Sequence, residues 1–534
     1  MRGRRKPLPP WGTIISLALF GLCAVLPLSW MFLESFFPDG SFGLDAWRNI
    51  LATETERLQL LHSLILGLCA TLFAVLLGSG LAWATFRTDL PGRRLLGPAG
   101  LLCLLYPPIV TAMAFADLSS AKGLPVVALL LAVSHAPFCI ALTARGLRSV
   151  DGRYYEAALL ARGRLRAELL LLRAVLPDIL AGALLVFVFV LSNHGVPEFF
   201  SVKQKTWFVY SEAIFLRWSA PGKPGSLRSA EAVASSVPLL LLTGLVLYFC
   251  LKARRRGALV TVTSEFRPLP SRSLGIWKGP LFVFALVLPA LGLALPTLRM
   301  CLWAAGSTAN FGVSLEKALD SFRRVLVELS PDLGKTLGLA SLAGLLVCAL
   351  GLPLAWASVR RKRPWIEALG LLPMAVPGIL LGIAFVRAWN APHSPLRALY
   401  ETPVLCVAGY GTRFLPLGIL ALANALRRFP ASFDEAGVLA GAGFLRRFAR
   451  IHLPLLLPSL VSVWILAYIL GLRELDLAVI LPPANDMVAR RLANIVHFGN
   501  EDVGGALAVL LCFGAGLPLL LRILLTGRAG EAAS

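Results

Sequence analysis

Long, uninterrupted runs of apolar residues dominate this chain. A run of about 18 residues is long enough to cross the ~30 Å hydrocarbon core of a bilayer as a helix. Backbone groups inside lipid must satisfy their own hydrogen bonds, and a helix does so within a single segment. Of the 534 residues, 57% are hydrophobic and 15% are charged, whereas soluble domains average about 25% charged residues. The sequence therefore predicts an all-α integral membrane protein.

About twelve membrane-spanning helices can be placed along the chain. Their predicted positions are 12–33, 60–86, 96–117, 124–144, 178–200, 233–251, 279–303, 335–359, 365–388, 403–426, 457–482 and 505–525.

The basic residues concentrate on one side of this predicted topology. Arginine clusters lie in the segment before the first span, between spans four and five, and between residues 252 and 278. The positive-inside rule assigns these segments, and both termini, to the cytoplasm. Anionic lipid headgroups account for the net charge of +22. We therefore expect a lipid bilayer as the partner of these charges and no nucleic acid.

The order of spans and loops indicates a duplication. Each half has six predicted spans, and its largest basic loop lies between the fourth and fifth. We expect a first repeat over 1–255, a cytoplasmic linker over 256–278 and a second repeat over 279–534. Since six is an even number, the two repeats insert in the same orientation. A pseudo-twofold axis along the membrane normal should relate them.

The basic loop of the second half has the pattern of a helical hairpin. Asp434 and Glu435 suit a helix N-terminus, and Gly441 permits a tight turn. Beyond the turn, an apolar face formed by Phe444, Phe448 and Ile451 is predicted opposite a face formed by Arg446, Arg447 and Arg450. Pro454 is expected to interrupt the return to the bilayer.

Physical chemistry alone leaves two interpretations of this hairpin open. An amphipathic helix on the cytoplasmic side suits a groove on a soluble partner. It suits the headgroup layer equally well.

The hairpin resembles the coupling loop of ABC-importer permeases. The matching residues are Glu435, Ala436, Gly441, Ile451, Leu453 and Pro454, while Gly437 replaces the second alanine of the Glu-Ala-Ala motif.

The basic loop of the first half resembles the same motif with altered spacing. Glu156, Ala157 and Ala158 match, whereas Gly163 comes one residue late and Pro177 two residues late. Inserting two residues into a helix rotates the face that follows them by about 200°. The turn must therefore absorb them, or the helix must dock in a shifted position.

Two such loops in one chain resemble the fused permeases of the iron(III), thiamine and aminoalkylphosphonate import group. The resemblance implies homodimeric ATP-binding subunits at the cytoplasmic face, which carry ATP and Mg²⁺, and an external solute-binding protein. It places the chain in the bacterial cytoplasmic (inner) membrane, as a transport subunit rather than an enzyme. Iron(III) ranks first among the implied solutes, followed by thiamine, then aminoalkylphosphonate or polyamine.

Several polar residues fall inside the predicted spans, where charge is costly and usually faces a bundle interior. Glu198 and Glu474 hold nearly equivalent places near the outer ends of the two fifth spans. We expect a polar lining of a translocation path here, while helix capping or an Arg473–Asp476 pair at the lipid interface is the structural alternative. The candidate residues are Asn193, His194, Glu198, Arg413, Arg473, Glu474 and Asp476.

Two other functions compete with the permease. A secondary transporter of twelve spans, driven by an ion gradient, would place ionisable residues near the bilayer midplane. A membrane enzyme would need a catalytic or metal-binding constellation, and the scattered cysteines and histidines have no such spacing. Gly334-Lys335-Thr336 ends like a phosphate-binding loop, but Leu329 occupies the place of its first glycine. We expect no catalytic, cofactor or metal site in this chain.

Overall fold

The computed structural model describes residues 11–37, 41–48, 50, 52–118, 123–204, 208–222, 225–256, 266–306, 312–429, 431–482, 486–498 and 501–531. Within these ranges the regular structure is helical, and no strand forms beyond one isolated bridge. The N-terminal basic cluster at residues 2–6 and residues 257–265 of the predicted linker lie outside the described residues. The chain is an all-α integral membrane protein.

In the described residues of the first half there are nine principal helices. They are α1 Gly12–Glu34, α2 Glu54–Arg87, α3 Arg93–Leu105, α4 Pro108–Ala116, α5 Leu124–Ser149, α6 Gly152–Ser192, α7 Gly195–Gln204, α8 Tyr210–Ser219 and α9 Gly225–Phe249.

The described part of the second half has eleven more. They are α10 Gly275–Ala304, α11 Leu315–Glu328, α12 Ser330–Arg360, α13 Pro364–Ala375, α14 Gly378–Trp389, α15 Pro403–Arg428, α16 Ala431–Leu439, α17 Phe444–Arg473, α18 Asp476–Ile480, α19 Val488–Phe498 and α20 Glu501–Arg522. The residues that resemble the end of a phosphate-binding loop are helical, within α12.

Ten of these helices are long and apolar enough to cross a membrane, within the part of the chain that the structure describes. The third and ninth predicted spans are instead bent pairs, with angles of 96° between α3 and α4 and 98° between α13 and α14. Tyr106 and Val376 have extended backbones at these bends, and each precedes a proline, which disfavours the helical conformation. Counting each pair as one span gives the predicted twelve.

The predicted spans 178–200 and 457–482 were wrong at their outer ends. Helix α6 ends at Ser192 and α7 begins at Gly195, whereas α17 ends at Arg473 and α18 begins at Asp476. Asn193 and Glu474 have extended backbones with ψ of 122° and 108°. Each half therefore has a helix break where the sequence predicts a continuous span.

The first span of each half packs against helices of the other half. Helix α1 lies against α12 and α14, and its Phe20 and Ala24 share a buried cluster with Leu350 and Ile419. Helix α10 lies against α3 and α4. Its Gly292 is so close to Cys103 that an added Cβ would lie 2.7 Å from the sulfur. Each half thus contributes its first span to the packing of the other half, and these two contacts hold the halves together.

The linker between the halves attaches to the first half through residues 266–274, which we call the strap. The Arg272 amide donates to the Arg87 carbonyl at 2.8 Å, and the Asp89 amide donates to the Arg272 carbonyl at 3.0 Å. The Gly152 amide donates to the Arg267 carbonyl at 2.8 Å. A Cβ at Gly152 would lie 2.7 Å from the Pro268 oxygen, so the strap is packed against the start of α6.

One carboxylate connects the strap, α2 and α6. Glu168 Oε1 accepts hydrogen bonds from Arg87 at 3.2 Å and from the Tyr155 hydroxyl at 3.0 Å. Arg272 lies 3.9 Å away. The guanidinium of Arg87, which is buried, also lies over the Tyr155 ring at 4.4 Å.

We expect Glu168→Ala to release the strap. The change leaves the Arg87 charge buried without its carboxylate, a loss that costs about 3–5 kcal/mol in buried pairs. Trypsin should then cut after Arg272 at least about tenfold faster in the purified full chain, since a loss of ~1.4 kcal/mol corresponds to a factor of ten. Glu401→Ala, at an exposed carboxylate in the α14–α15 loop, is the control. An unchanged cleavage rate in Glu168→Ala would contradict this account of the strap.

Candidate functional site

The second hairpin is held together by one acidic side chain. Asp434 Oδ1 in α16 accepts from Arg447 Nη1 at 2.8 Å and from His452 Nε2 at 3.2 Å, both in α17. The turn between the two helices contains Gly441 with φ of +70°, a conformation that side chains with a Cβ disfavour. The prediction of a hairpin with its turn at Gly441 is therefore confirmed at the level of backbone geometry.

The predicted position of Arg447 was wrong. Arg447 is buried between the helices instead of lying on the exposed basic face. It follows Phe444 by three residues and precedes Ile451 by four, which puts it on the same side of the helix as these apolar residues. The aliphatic part of the Arg447 side chain also explains why glycine replaces the second alanine of the motif at position 437. A Cβ at Gly437 would lie 2.9 Å from Arg447 Cδ.

Pro454 does not interrupt the helix. The chain is helical from Phe444 to Arg473, with a π-helical segment at Phe448–His452 directly before the proline. Such a segment rearranges the local hydrogen bonds and accommodates the missing amide donor. Pro177 likewise lies inside α6. In both halves the second helix of the hairpin is thus continuous with a membrane span.

The first hairpin begins at Asp151, whose side chain caps the helix by accepting from the Arg153 amide at 3.0 Å. Its turn is Gly163, with φ of 74° inside the otherwise helical α6. The second hairpin turns over residues 440–443. The two extra residues of the first loop are therefore not absorbed by a longer turn, and they lie in helical segments.

The residues of the matched motif occupy similar surfaces in the two hairpins. Glu156, Ala157, Glu435 and Ala436 are exposed, and Ala158 is half-buried. Pro177 and Ile451 are also half-buried, whereas Pro454 is exposed.

Both hairpins have an exposed apolar tip that the sequence analysis missed. Leu160 and Leu165 are 88% and 75% exposed on either side of Gly163. Leu439 and Leu445 are 88% and 79% exposed on either side of Gly441. The signal in the sequence was leucine beside a turn glycine. Each tip therefore presents two exposed leucines beside its turn glycine.

A small cavity of about 40 Å³ lies between the two halves. It adjoins the helix breaks that follow α6 and α17. Its lining residues are Pro108, His135, Phe138, Phe189, Asn193, Arg413, Phe414, Leu470, Arg473, Glu474, Leu475 and Asp476. Five of the seven predicted pathway residues therefore meet at one place.

The two halves are joined beside this cavity by a buried polar contact. His194 Nδ1 donates to Asp476 Oδ1 at 2.6 Å, and both side chains are buried. The suggested Arg473–Asp476 pair was wrong, since Arg473 Nη2 donates to the Ser134 carbonyl at 2.9 Å. Arg413 donates to the Val376 carbonyl, and its Nε lies 3.9 Å from Glu474 Oε2.

Glu198 lies at the edge of this cluster and is not among the residues that line the cavity. Its side chain is 28% exposed, and its Oε2 lies 3.8 Å from His194 Nε2. His135 lines the cavity but was missed by the sequence analysis, although a histidine in the middle of an apolar span is itself a signal. Its Nδ1 donates to the Leu131 carbonyl at 2.8 Å.

No protein-family model matches the sequence, but curated relatives do. The Fe(3+)-transport system permease protein FbpB 2 of Haemophilus influenzae is 24% identical over 523 residues, covering 96% of this chain and 98% of the relative. The probable ABC transporter permease protein y4fN of Sinorhizobium fredii is 26% identical over 343 residues, 59% of this chain and 57% of the relative.

A third relative matches part of the chain. The ferric transport system permease protein FbpB of Actinobacillus pleuropneumoniae is 28% identical over 213 residues, 38% of this chain and 31% of the relative. Taken with the helical fold, these similarities identify the chain as a homologue of ABC-importer permeases, similar over nearly its whole length to a permease of the iron(III) group.

Proposed function

We propose that this chain forms the translocation path of an ABC importer for iron(III). The observation that carries the proposal is the pair of hairpins, each with an exposed apolar tip at a left-handed glycine and each continuous with a membrane span. The full-length similarity to a relative whose name specifies Fe(3+) transport supports iron(III) as the solute.

The hairpins dock on two copies of an ATP-binding subunit at the cytoplasmic face. Each tip inserts its leucines into a groove of the partner, as apolar helical segments do in helix-in-groove binding. Because α17 runs unbroken from the hairpin into the membrane, movement of the tip is passed directly to the span. The Asp434–Arg447 contact keeps the two helices of the hairpin from sliding past each other.

The path passes between the halves at the two helix breaks. Asn193, His194, Arg413, Arg473, Glu474 and Asp476 surround this point, and Glu198 lies on its edge. Irregular backbone at membrane depth is tolerated where protein or a water-filled cavity surrounds it. ATP binding in the partner subunits moves the two halves between inward-open and outward-open states. The halves are two parallel repeats, with boundaries near residues 255 and 279, and a pseudo-twofold axis relates them.

The remaining partners follow from the same assignment. A solute-binding protein delivers iron(III) at the face opposite the hairpins, and ATP and Mg²⁺ bind only to the partner subunits. The chain lies in the inner membrane with both termini in the cytoplasm. Uptake that persists without ATP and follows an ion gradient would favour a secondary transporter instead.

We expect Leu439→Asp to prevent docking of the ATP-binding subunit. Burial of one leucine stabilises a contact by about 1.5–3 kcal/mol, so its loss should reduce ATPase co-purification roughly tenfold or more. Leu399→Asp, at a partly exposed leucine in the α14–α15 loop, is the matched control and should co-purify normally. Normal co-purification of both Leu439→Asp and Leu445→Asp would mean that this tip is not the docking surface.

We expect the two hairpins to contribute unequally. Glu435 lies in the hairpin that keeps the family spacing, whereas the first hairpin has longer helical segments and is packed against the strap. Glu435→Ala should therefore reduce iron uptake and stimulated ATPase activity in the assembled complex more than Glu156→Ala. Equal losses, or a larger loss from Glu156→Ala, would contradict unequal coupling.

A further inference from the structure

Two buried arginines in the cavity have N–H groups that find no partner in the part of the chain that the structure describes. Arg413 and Arg473 are each 6% exposed. Among the described residues, none accepts a hydrogen bond from Arg473 Nε, Arg473 Nη1 or Arg413 Nε. A buried charged donor without a partner costs free energy. Two such side chains lining one cavity indicate a ligand that accepts hydrogen bonds.

The carboxylates around the cavity do not supply these acceptors. Asp476 Oδ1 is engaged by His194. Glu474 Oε2 lies 3.9 Å from Arg413 Nε, too far for a hydrogen bond. The other oxygen of Glu474, Oε1, is buried and also has no partner in the described part of the chain. Within the described residues, the cavity thus presents these guanidinium nitrogens as free donors and Glu474 Oε1 as a free acceptor.

This arrangement is unsuited to a bare metal cation. The charges of Arg413 and Arg473 offset those of Glu474 and Asp476 in the lining, and no group of three His, Cys, Asp or Glu side chains in the described ranges is arranged to hold a metal ion. Guanidinium groups favour carboxylate and phosphate oxygens, which match their planar set of donors. Glu474 Oε1 would accept from a hydroxyl on the same ligand.

We propose that the cavity is an oxyanion-binding site, and that the cargo crosses this point as a complex whose oxygen ligands contact Arg413 and Arg473. This inference rests on the proposed import of iron(III) and specifies the chemical form in which the ion passes. The ligand class is a small oxyanion such as phosphate, carbonate or a carboxylate. A volume of about 40 Å³ accommodates roughly three waters, at ~10–15 Å³ each, or one small oxyanion.

The apolar walls strengthen the site. Phe138 and Phe189 stack with ring centroids 5.3 Å apart, and the His135 ring lies 5.9 Å from that of Phe189. These rings exclude water from one side of the cavity. Charge-assisted hydrogen bonds are stronger where the local dielectric is low, so these buried guanidinium groups would hold an anion more tightly than fully hydrated ones.

The first test is direct binding of inorganic phosphate, without iron, to the full chain assembled with its ATP-binding subunits in lipid nanodiscs. We expect saturable binding of radiolabelled phosphate that is weakened at least tenfold by Arg473→Gln and by Arg413→Gln. Arg473→Lys should restore part of it, because charge remains but the planar donor set is lost. Arg387→Gln, outside the cavity, is the control. No saturable binding in the natural protein, or equal binding in all variants, would overturn the proposal.

The second test is uptake of radiolabelled iron into proteoliposomes that contain the same complexes and the binding protein. The oxyanion site predicts at least a tenfold loss of uptake in Arg473→Gln, with co-purification of the ATPase unchanged. Unchanged or faster uptake would indicate a bare cation and overturn the proposal. If Arg473→Gln fails to assemble, Arg473→Lys and Arg413→Gln provide the same comparison.

The two tests separate this inference from the proposed function. Phosphate binding that depends on the arginines, without ATP-driven iron uptake by the natural protein, would refute iron import and leave the oxyanion site standing. If iron uptake is driven by ATP but phosphate binding is the same in the arginine variants as in the natural protein, the importer is supported and the oxyanion site is refuted.

Discussion

The contact between His194 and Asp476 is the constraint around which the interior is arranged. It joins the halves at 2.6 Å in a buried setting, and each residue lies at a helix break. A polar contact at this depth exists only if the protein supplies partners, because lipid supplies none. The breaks after α6 and α17 bring the two side chains together. The exchanged first spans, α1 and α10, hold the halves close enough for the contact to form.

The hairpins extend this arrangement to the surface. Their second helices are continuous with the spans that end at the breaks, so the turn glycines and the cavity are opposite ends of two long helices. The first hairpin is additionally packed against the strap, through Glu168 and Arg87. The second is held by its own Asp434–Arg447 contact. The two hairpins are therefore similar structures that are stabilised by different contacts. The difference in contacts accompanies the difference in spacing between the two loops.

Much of this was predictable from the sequence, because it depends on local pattern. Apolar runs indicated the spans, and the position of Gly441 indicated the second turn. What could not be predicted depends on contacts between distant residues. His194 and Asp476 are 282 positions apart, and only packing shows that Arg473 turns to Ser134 instead of Asp476. Arg447 was misplaced because its charge was assumed to seek solvent, whereas it lies between the helices and donates a hydrogen bond to the half-buried Asp434. The helix breaks were missed because the polar residues at both places, Asn193 and His194 in the first half and Arg473 and Glu474 in the second, were interpreted as lining continuous spans.

The central claim is that solute passes between the halves at these two breaks. Positions 195 and 475 adjoin each other across the halves, and changing them leaves the His194–Asp476 contact in place. Cysteines at these two positions, in a variant without the native cysteines, can be joined by a short bifunctional thiol reagent. The account predicts that ATP-driven iron uptake stops when the positions are joined by a reducible linker and returns on reduction. Uptake at the unlinked rate while the linker is in place would contradict it.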